Sequence, residues 1–208
     1  MSKTILHIDS SPMGDHSVSR KLTAKIVAEL QNSHPDATLI RYDLGTKPLP
    51  HVDGLTIGGF FTSADQHNEV LATAVKASDQ AVAELLAADY IVIGAPMHNF
   101  GIPSTLKAWI DHVVRLGKTF HYTATGAQGL VPSGKKVIIV SSRGGIYSEG
   151  PMKVFDHQEA YLRDALGFLG LTDVSFVRAE GVSMGSESLA KALSTADAHI
   201  TETLKTLA

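Results

Sequence analysis

Apolar residues fall along this chain in two alternating rhythms. Five short runs are rich in β-branched and aliphatic side chains: TILHI (4–8), TLIRYDL (38–44), YIVIGA (90–95), KVIIVSS (136–142) and VSFVRAE (174–180). Four of them are almost continuously apolar, as strands buried on both faces are. Between the runs the apolar positions step by three or four. They are Leu22, Ile26 and Leu30; Val70, Leu71, Val75, Val82, Leu85 and Leu86; Leu106, Ile110, Val113 and Val114; Val154, Tyr161, Leu162, Ala165, Leu166 and Leu169; then Leu189, Leu193, Ala196, Ile200, Leu204 and Leu207. That spacing predicts amphipathic helices. Strand followed by helix, five times over, predicts a parallel sheet covered on both faces, because right-handed crossovers place the helices outside. The expected fold class is therefore a doubly wound α/β domain, and 208 residues suit a single domain spanning 1–208. HVDGLTIGGFFTS (51–63) and RLGKTFHYTATGAQGLVPSGK (115–135) follow neither rhythm. Too aromatic and apolar for linkers, they read as insertions over a face of the sheet.

Composition narrows the chemistry. Lys and Arg number 18 against 21 Asp and Glu, a formal charge of −3, which argues against a nucleic-acid partner. Hydrophobic residues at 44% can build a sizeable core, so disorder is excluded as a general description. There is no cysteine, which removes thiolate nucleophiles, disulfides, Cys-bound zinc and iron–sulfur clusters; any redox chemistry needs a borrowed cofactor. The ten histidines show no metal-binding spacing, so no metal site is expected. The apolar run from Ile5 to Ile8 is too short for a signal-peptide core, and no stretch reaches membrane-spanning length. The expectation is a soluble cytoplasmic protein without a membrane partner.

In open α/β sheets, ligands bind beyond the carboxyl ends of the strands, where strand order reverses. The loops there read SSPMGDHSVS (10–19), PMHNFGIPS (96–104) and SRGGIYSEG (142–150). The first supplies hydroxyls and then the amides of a helix start, with no cation before Arg20, which suits a phosphate monoester held mainly by dipoles. A plain N-cap role for Ser17 or Ser19 is the alternative. The glycine pair in the third lets a backbone approach a ligand closely.

Three motifs mislead. GVSMG (181–185) matches a nucleophile elbow, but of the later residues only the last helix carries an acid and a histidine, and His199 would lie ~20 Å along from Ser183. GLVPSGKK (129–136) is nearly a phosphate-binding P-loop, yet Lys136 replaces the magnesium-binding hydroxyl and a strand follows instead of a helix. A phosphoacceptor receiver domain would need its acid at the end of the third strand, whereas Asp89 opens that strand.

The Ser-rich loop together with APMHNFGIPSTLKAWID (95–111), GKTFHYT (117–123), VSSRGG (140–145) and LGFLGL (166–171) resembles the flavodoxin-like family of FMN-dependent NADH azoreductases and quinone reductases. The likeness runs over nearly the whole chain, and the 95–111 block is its most specific part. It implies a flavodoxin-like five-stranded parallel sheet in order 2-1-3-4-5, FMN as cofactor and NADH or NADPH as co-substrate. It also implies two-electron reduction of a quinone or azo substrate, and homodimers with flavin sites at the interface. By this resemblance Ser11, Ser17, Val18 and Ser19 hold the FMN phosphate. Met97, His98, Asn99 and Phe100, with Ser142, Arg143, Gly144 and Gly145, contact the isoalloxazine ring. Phe60 or Phe61, Phe120, Tyr122 and Phe168 line the substrate pocket. No side chain is required as nucleophile or base, since the flavin carries the chemistry. His98 stands where the family carries tyrosine; backbone contacts survive that change, and the imidazole becomes a candidate proton donor. The alternatives are a serine hydrolase built on GVSMG and a non-catalytic FMN electron carrier, which would need little beyond the core sheet and not the two insertions.

Overall fold

The computed structural model describes residues 2–206. In chain order it comprises β1 (Thr4–Asp9), α1 (Val18–Ser33), β2 (Thr38–Asp43), α2 (Gly54–Phe61), α3 (Glu69–Ala87), β3 (Tyr90–Pro96) and α4 (Ser104–Val113). There follow β4 (Phe120–Thr123), β5 (Gly126–Gly129), β6 (Lys136–Arg143), α5 (Gln158–Phe168), β7 (Val174–Glu180) and α6 (Ser186–Lys205). Leu207, the last apolar position of the α6 pattern, lies outside the described residues.

All five apolar runs are strands of one parallel sheet in the order β2-β1-β3-β6-β7, which is the expected 2-1-3-4-5 once the β4–β5 hairpin is set aside. The near-continuous apolar character has a simple cause: successive side chains point to opposite faces, and both faces are buried. Leu6, Ile8, Ile91, Ile93, Val137 and Ile139 pack against α3, α4 and α5. Ile5, Tyr90, Val92, Ile138 and Val140 pack against α1 and α6. β2 is the exception, an edge strand with partly exposed side chains, matching its charged Arg41 and Asp43.

The insertions hold structure that the hydrophobic rhythm does not reveal. The 51–63 segment contains α2, started by Asp53, whose carboxylate accepts from both the amide (2.8 Å) and the hydroxyl (2.7 Å) of Thr56. The 115–135 segment forms the antiparallel hairpin β4–β5. Gly129 lets that hairpin dock on the end of α5: an added Cβ would fall on the Leu169–Gly170 backbone. Val154, read above as a helical core position, instead lies in the 3-10 turn Pro151–Phe155 and is 72% exposed. Asp156 is the reason α5 begins later, since its carboxylate accepts from the amides of Gln158 (3.0 Å) and Glu159 (3.2 Å).

Candidate functional site

From β1 the chain passes to β2 on one side of the sheet and later to β3 on the other, so strand order reverses between β1 and β3. The three loops read from the sequence meet at this edge. Ser10 donates to Gly94 O through its amide (3.2 Å) and its hydroxyl (2.6 Å), and Met97 N donates to Ser142 O (2.8 Å). The first loop is thus tied to β3, and the second loop to the third across β3 and β6.

In the first loop Ser11, Ser17 and Ser19 are buried and Val18 is half-buried. Ser17 caps α1, accepting from Arg20 N (3.3 Å), and its hydroxyl lies 3.0 Å from that of Ser19. The cap leaves the Val18 and Ser19 amides in the first turn, without partners inside the helix. Ser11 Oγ accepts from Met13 N (3.3 Å), which leaves its proton free to be donated outward. Arg20 donates to Ser11 O through Nε (3.0 Å) and Nη2 (2.7 Å), pairs with Asp43, and lies 4.0 Å from Asp9. Its charge is therefore spent within the protein. The Asp43 carboxylate is held below its usual range chiefly by the hydrogen bond from Arg20. An anion in this loop meets hydroxyl and amide dipoles rather than a free cation. Beneath the loop, His7 Nε2 lies 3.1 Å from Asp9 Oδ2 but outside hydrogen-bonding geometry, so we count it as unpaired.

The second loop is strained. His98 and Gly101 exchange backbone hydrogen bonds of 3.0 Å, closing a two-residue turn in which Asn99 and Phe100 adopt φ of 47° and 71°. Positive φ at both central positions is the requirement of a type I′ turn. Asparagine accepts it readily and phenylalanine does not. The Phe100 ring stacks on Phe155 (5.1 Å) and meets Tyr147 edge-on (6.3 Å), and Phe100 O accepts from His157 N (3.1 Å). Met97 is half-buried, and His98 and Asn99 are exposed.

In the third loop Ser142 is buried, Gly144 exposed and Gly145 half-buried; a Cβ on Gly144 would press on Ser183 Oγ at 3.2 Å. The Arg143 side chain turns into the protein. Its guanidinium is fully buried among Asp156 (3.0 Å), Glu159 (2.8 Å) and Glu180 (3.1 Å), so only its backbone remains available to a ligand. Burial raises the Glu180 carboxyl, but the Ser148 hydroxyl, the Tyr147 amide and Arg143 outweigh that and hold it below the usual range. Tyr147, Phe155, Gln158 and Glu180 were not singled out from sequence, and their link to the site is long-range.

The expected pocket aromatics form separate contacts within the chain. Phe120 packs on Phe168 (4.7 Å) and Tyr122 (5.6 Å) where the hairpin meets α5. Phe60 lies under the Arg115 guanidinium at 3.6 Å, and Phe61 is 73% exposed. Among the described residues no group of three or more acidic or histidine residues could hold a metal. A cleft of about 600 Å³ runs between β7 and α6, lined in part by Ile146, Ser148, Arg178, Lys191 and His199. It borders the third loop at Ile146 and Ser148 but touches none of Ser11, Ser17, Ser19, Met97 or Asn99, so we place the site where all three loops converge.

Comparison with known proteins agrees with this fold. A family model described as a flavodoxin-like fold matches residues 3–204. A Ralstonia nicotianae protein named FMN-dependent NADH:quinone oxidoreductase is 53% identical over 195 residues, covering 93% of each chain. One of the same name from Nostoc is 51% identical over 190 residues, covering 91% of this chain and 92% of its own. The crystal structure of an azoreductase from Bacillus anthracis superimposes with a TM-score of 0.87 at 30% identity, over 96% of this chain and 97% of its own.

Proposed function

Because this chain belongs to the flavodoxin-like family of FMN-dependent NADH:quinone oxidoreductases, we propose that it binds FMN at the three-loop edge and uses NADH or NADPH to reduce quinones and azo compounds. The observation that carries the reading is the convergence, at the strand-order reversal, of buried serine hydroxyls, an open helix start and a strained Asn99–Phe100 turn. Those features fit the cofactor part by part. Ser11, Ser17, Ser19 and the α1 amides would hold a phosphate monoester by dipoles, in keeping with the committed charge of Arg20. Asn99, Phe100 and the Gly144–Gly145 backbone would bind the ring, with amides for its polar edge and apolar contact from Met97 and Phe100.

FMN, when bound, supplies hydride acceptance from the pyridine nucleotide and two-electron delivery to the acceptor. The chain's residues bind, orient and exclude water. The Asn99–Phe100 turn is fixed by its paired backbone bonds and by the stack on Phe155, so its exposed groups are organised before any ligand arrives. Both substrates use one pocket in turn. That order gives parallel double-reciprocal plots, and intersecting plots would contradict it.

The reading extends to a single cytoplasmic domain over 1–208 acting as a homodimer with its sites at the interface. The exposed Tyr122, Phe155 and Phe168 beside the hairpin and the Phe100 turn support an apolar partner surface. None of the described helices is long and apolar enough to cross a membrane.

The test is a visible spectrum of the protein after incubation with FMN and desalting, followed by anaerobic NADH and then benzoquinone. Retained flavin that bleaches with NADH and regains colour with quinone is the expected result. Failure to bind FMN would overturn the proposal, and flavin that binds without bleaching would favour an electron carrier.

A further inference from the structure

The loop after β6 leaves the sheet at Arg143, and the amides of Tyr147 and Ser148 have no strand to pair with. Both donate instead to one oxygen of Glu180, at 2.7 and 3.0 Å, while the Ser148 hydroxyl bonds the other oxygen. Glu180 ends β7 directly opposite Arg143 in the β6–β7 register. Arg143 Nη1 donates to the same Glu180 oxygen at 3.1 Å. The guanidinium reaches further, with Nε donating to Gln158 Oε1 (3.2 Å) and Nη2 to Glu159 (2.8 Å). Gln158 in turn donates to Ala95 O (2.9 Å), just before the strained turn, and Phe100 of that turn stacks on Phe155. One buried arginine thus joins the loops after β3 and β6 to the start of α5. Replacing a buried ionic cluster by apolar side chains is often neutral or stabilising, so stability alone is a weak reason for it; fixed geometry is a better one.

We propose that Glu180, held by Arg143, is a positioning residue for flavin binding: it anchors the Tyr147 and Ser148 amides, while the Gly144 and Gly145 carbonyls accept from the Ser183 and Gly181 amides, so that the loop meets the ring in one conformation. This rests on the three-loop edge being the flavin site.

The test reads backbone hydrogen exchange of the flavin-free protein and, separately, FMN affinity by fluorescence titration. Glu180→Ala is expected to speed exchange of the Tyr147 and Ser148 amides at least tenfold and to weaken FMN binding about tenfold. Glu180→Gln, whose amide oxygen still accepts from both amides, is expected to recover most of the affinity. Asp89→Asn is the comparator, since its carboxylate bonds Thr4 N (2.8 Å) and Lys3 (3.0 Å) at the opposite end of the strands. It is expected to lower the melting temperature and move neither readout. If Glu180→Ala lowers stability like Asp89→Asn but leaves exchange and affinity unchanged, the proposal is wrong. Should Glu180→Ala not fold, Ser148→Ala takes its place, with affinity two- to threefold weaker expected and no change overturning the idea. Freed amides in a protein that never binds FMN, even as wild type, would overturn the flavin reading and the positioning role with it, leaving only a structural anchor.

Discussion

Phe100 offers a measurement of strain held at the proposed site. It occupies φ = 71°, beside Asn99 at 47°. A side chain with a Cβ in this region costs roughly 1–2 kcal/mol. Both Phe100→Ala and Phe100→Gly delete the stack on Phe155, a loss of about 0.5–1.5 kcal/mol beyond area burial, so the difference between them isolates the backbone term. Glycine removes the strain but gives the unfolded chain extra freedom worth about 0.4–1 kcal/mol. The net is ~0–1.6 kcal/mol in favour of glycine, centred at ~0.8 kcal/mol. In a domain of this size, where 1 kcal/mol moves the midpoint by about 2–4 °C, Phe100→Gly should melt ~1–4 °C above Phe100→Ala. Glycine is normally the less stable of the two, so the sign is diagnostic. The assay is thermal unfolding of both variants without flavin, side by side. An alanine variant that melts above the glycine variant would refute the left-handed turn. Titration of the same samples with FMN should show weaker binding in both, because neither restores the ring contact.

Ser17→Ala should lower stability by about 1 kcal/mol through loss of the α1 cap. Saturating FMN should widen its stability gap to wild type by ~1.4 kcal/mol for each tenfold loss of affinity, and an unchanged gap would reduce Ser17 to a cap. Glu180 and Asp43 have folded pKa values below their unfolded ones, so their stabilisation is complete above the ordinary carboxylate range and is lost as pH falls through the lowered folded values. Melting temperature should therefore drop steeply below about pH 4, less steeply in Glu180→Gln, and identical curves would mean that Glu180 is not an ionised anchor. Gly129→Ala should push the hairpin off α5, costing ~1–3 kcal/mol and raising the quinone KM while leaving FMN affinity intact. His98→Tyr should alter acceptor preference and leave the pH profile of quinone reduction unchanged; a lost inflection would instead identify His98 as the proton donor.

The parts of this fold that were legible in the sequence are those whose signal is local. Val92 and Ile93 face opposite layers and both must be apolar, so a doubly buried strand announces itself as a run. The loops could be found because strand ends are ligand sites in such sheets, whatever their residues. The β4–β5 hairpin escaped because its second strand, GAQG, has no β-forming side chain and is held by pairing with FHYT and by contact with α5. Helix α2 escaped because GLTIGGFF contains three glycines; its start is marked only by Asp53. Arg143 is the instructive case. The family resemblance implied a ring contact for it, which its backbone can still make, but the destination of its side chain was decided by Asp156, Glu159 and Glu180, as many as 37 positions away. No local pattern carries a pairing of that range. The strain at Phe100 is hidden for the same reason, because a phenylalanine gives no sequence sign of a positive φ.

The docking of the hairpin against α5 has a consequence for how such a protein can change. Phe120 and Tyr122 ride on a two-stranded unit that pairs with no strand of the main sheet. Its side-chain cluster is completed by Phe168, and its backbone is fastened where Val131 N donates to Leu169 O (3.1 Å). Residues at its tip, around Thr123–Gly126, can be exchanged or lengthened without disturbing the register of β1, β3 and β6, on which the serine loop and the strained turn depend. Under the proposed pocket and flavin assignments, acceptor choice and cofactor retention fall on separately variable parts of the molecule, so lineages or engineers can retune the first while inheriting the second intact.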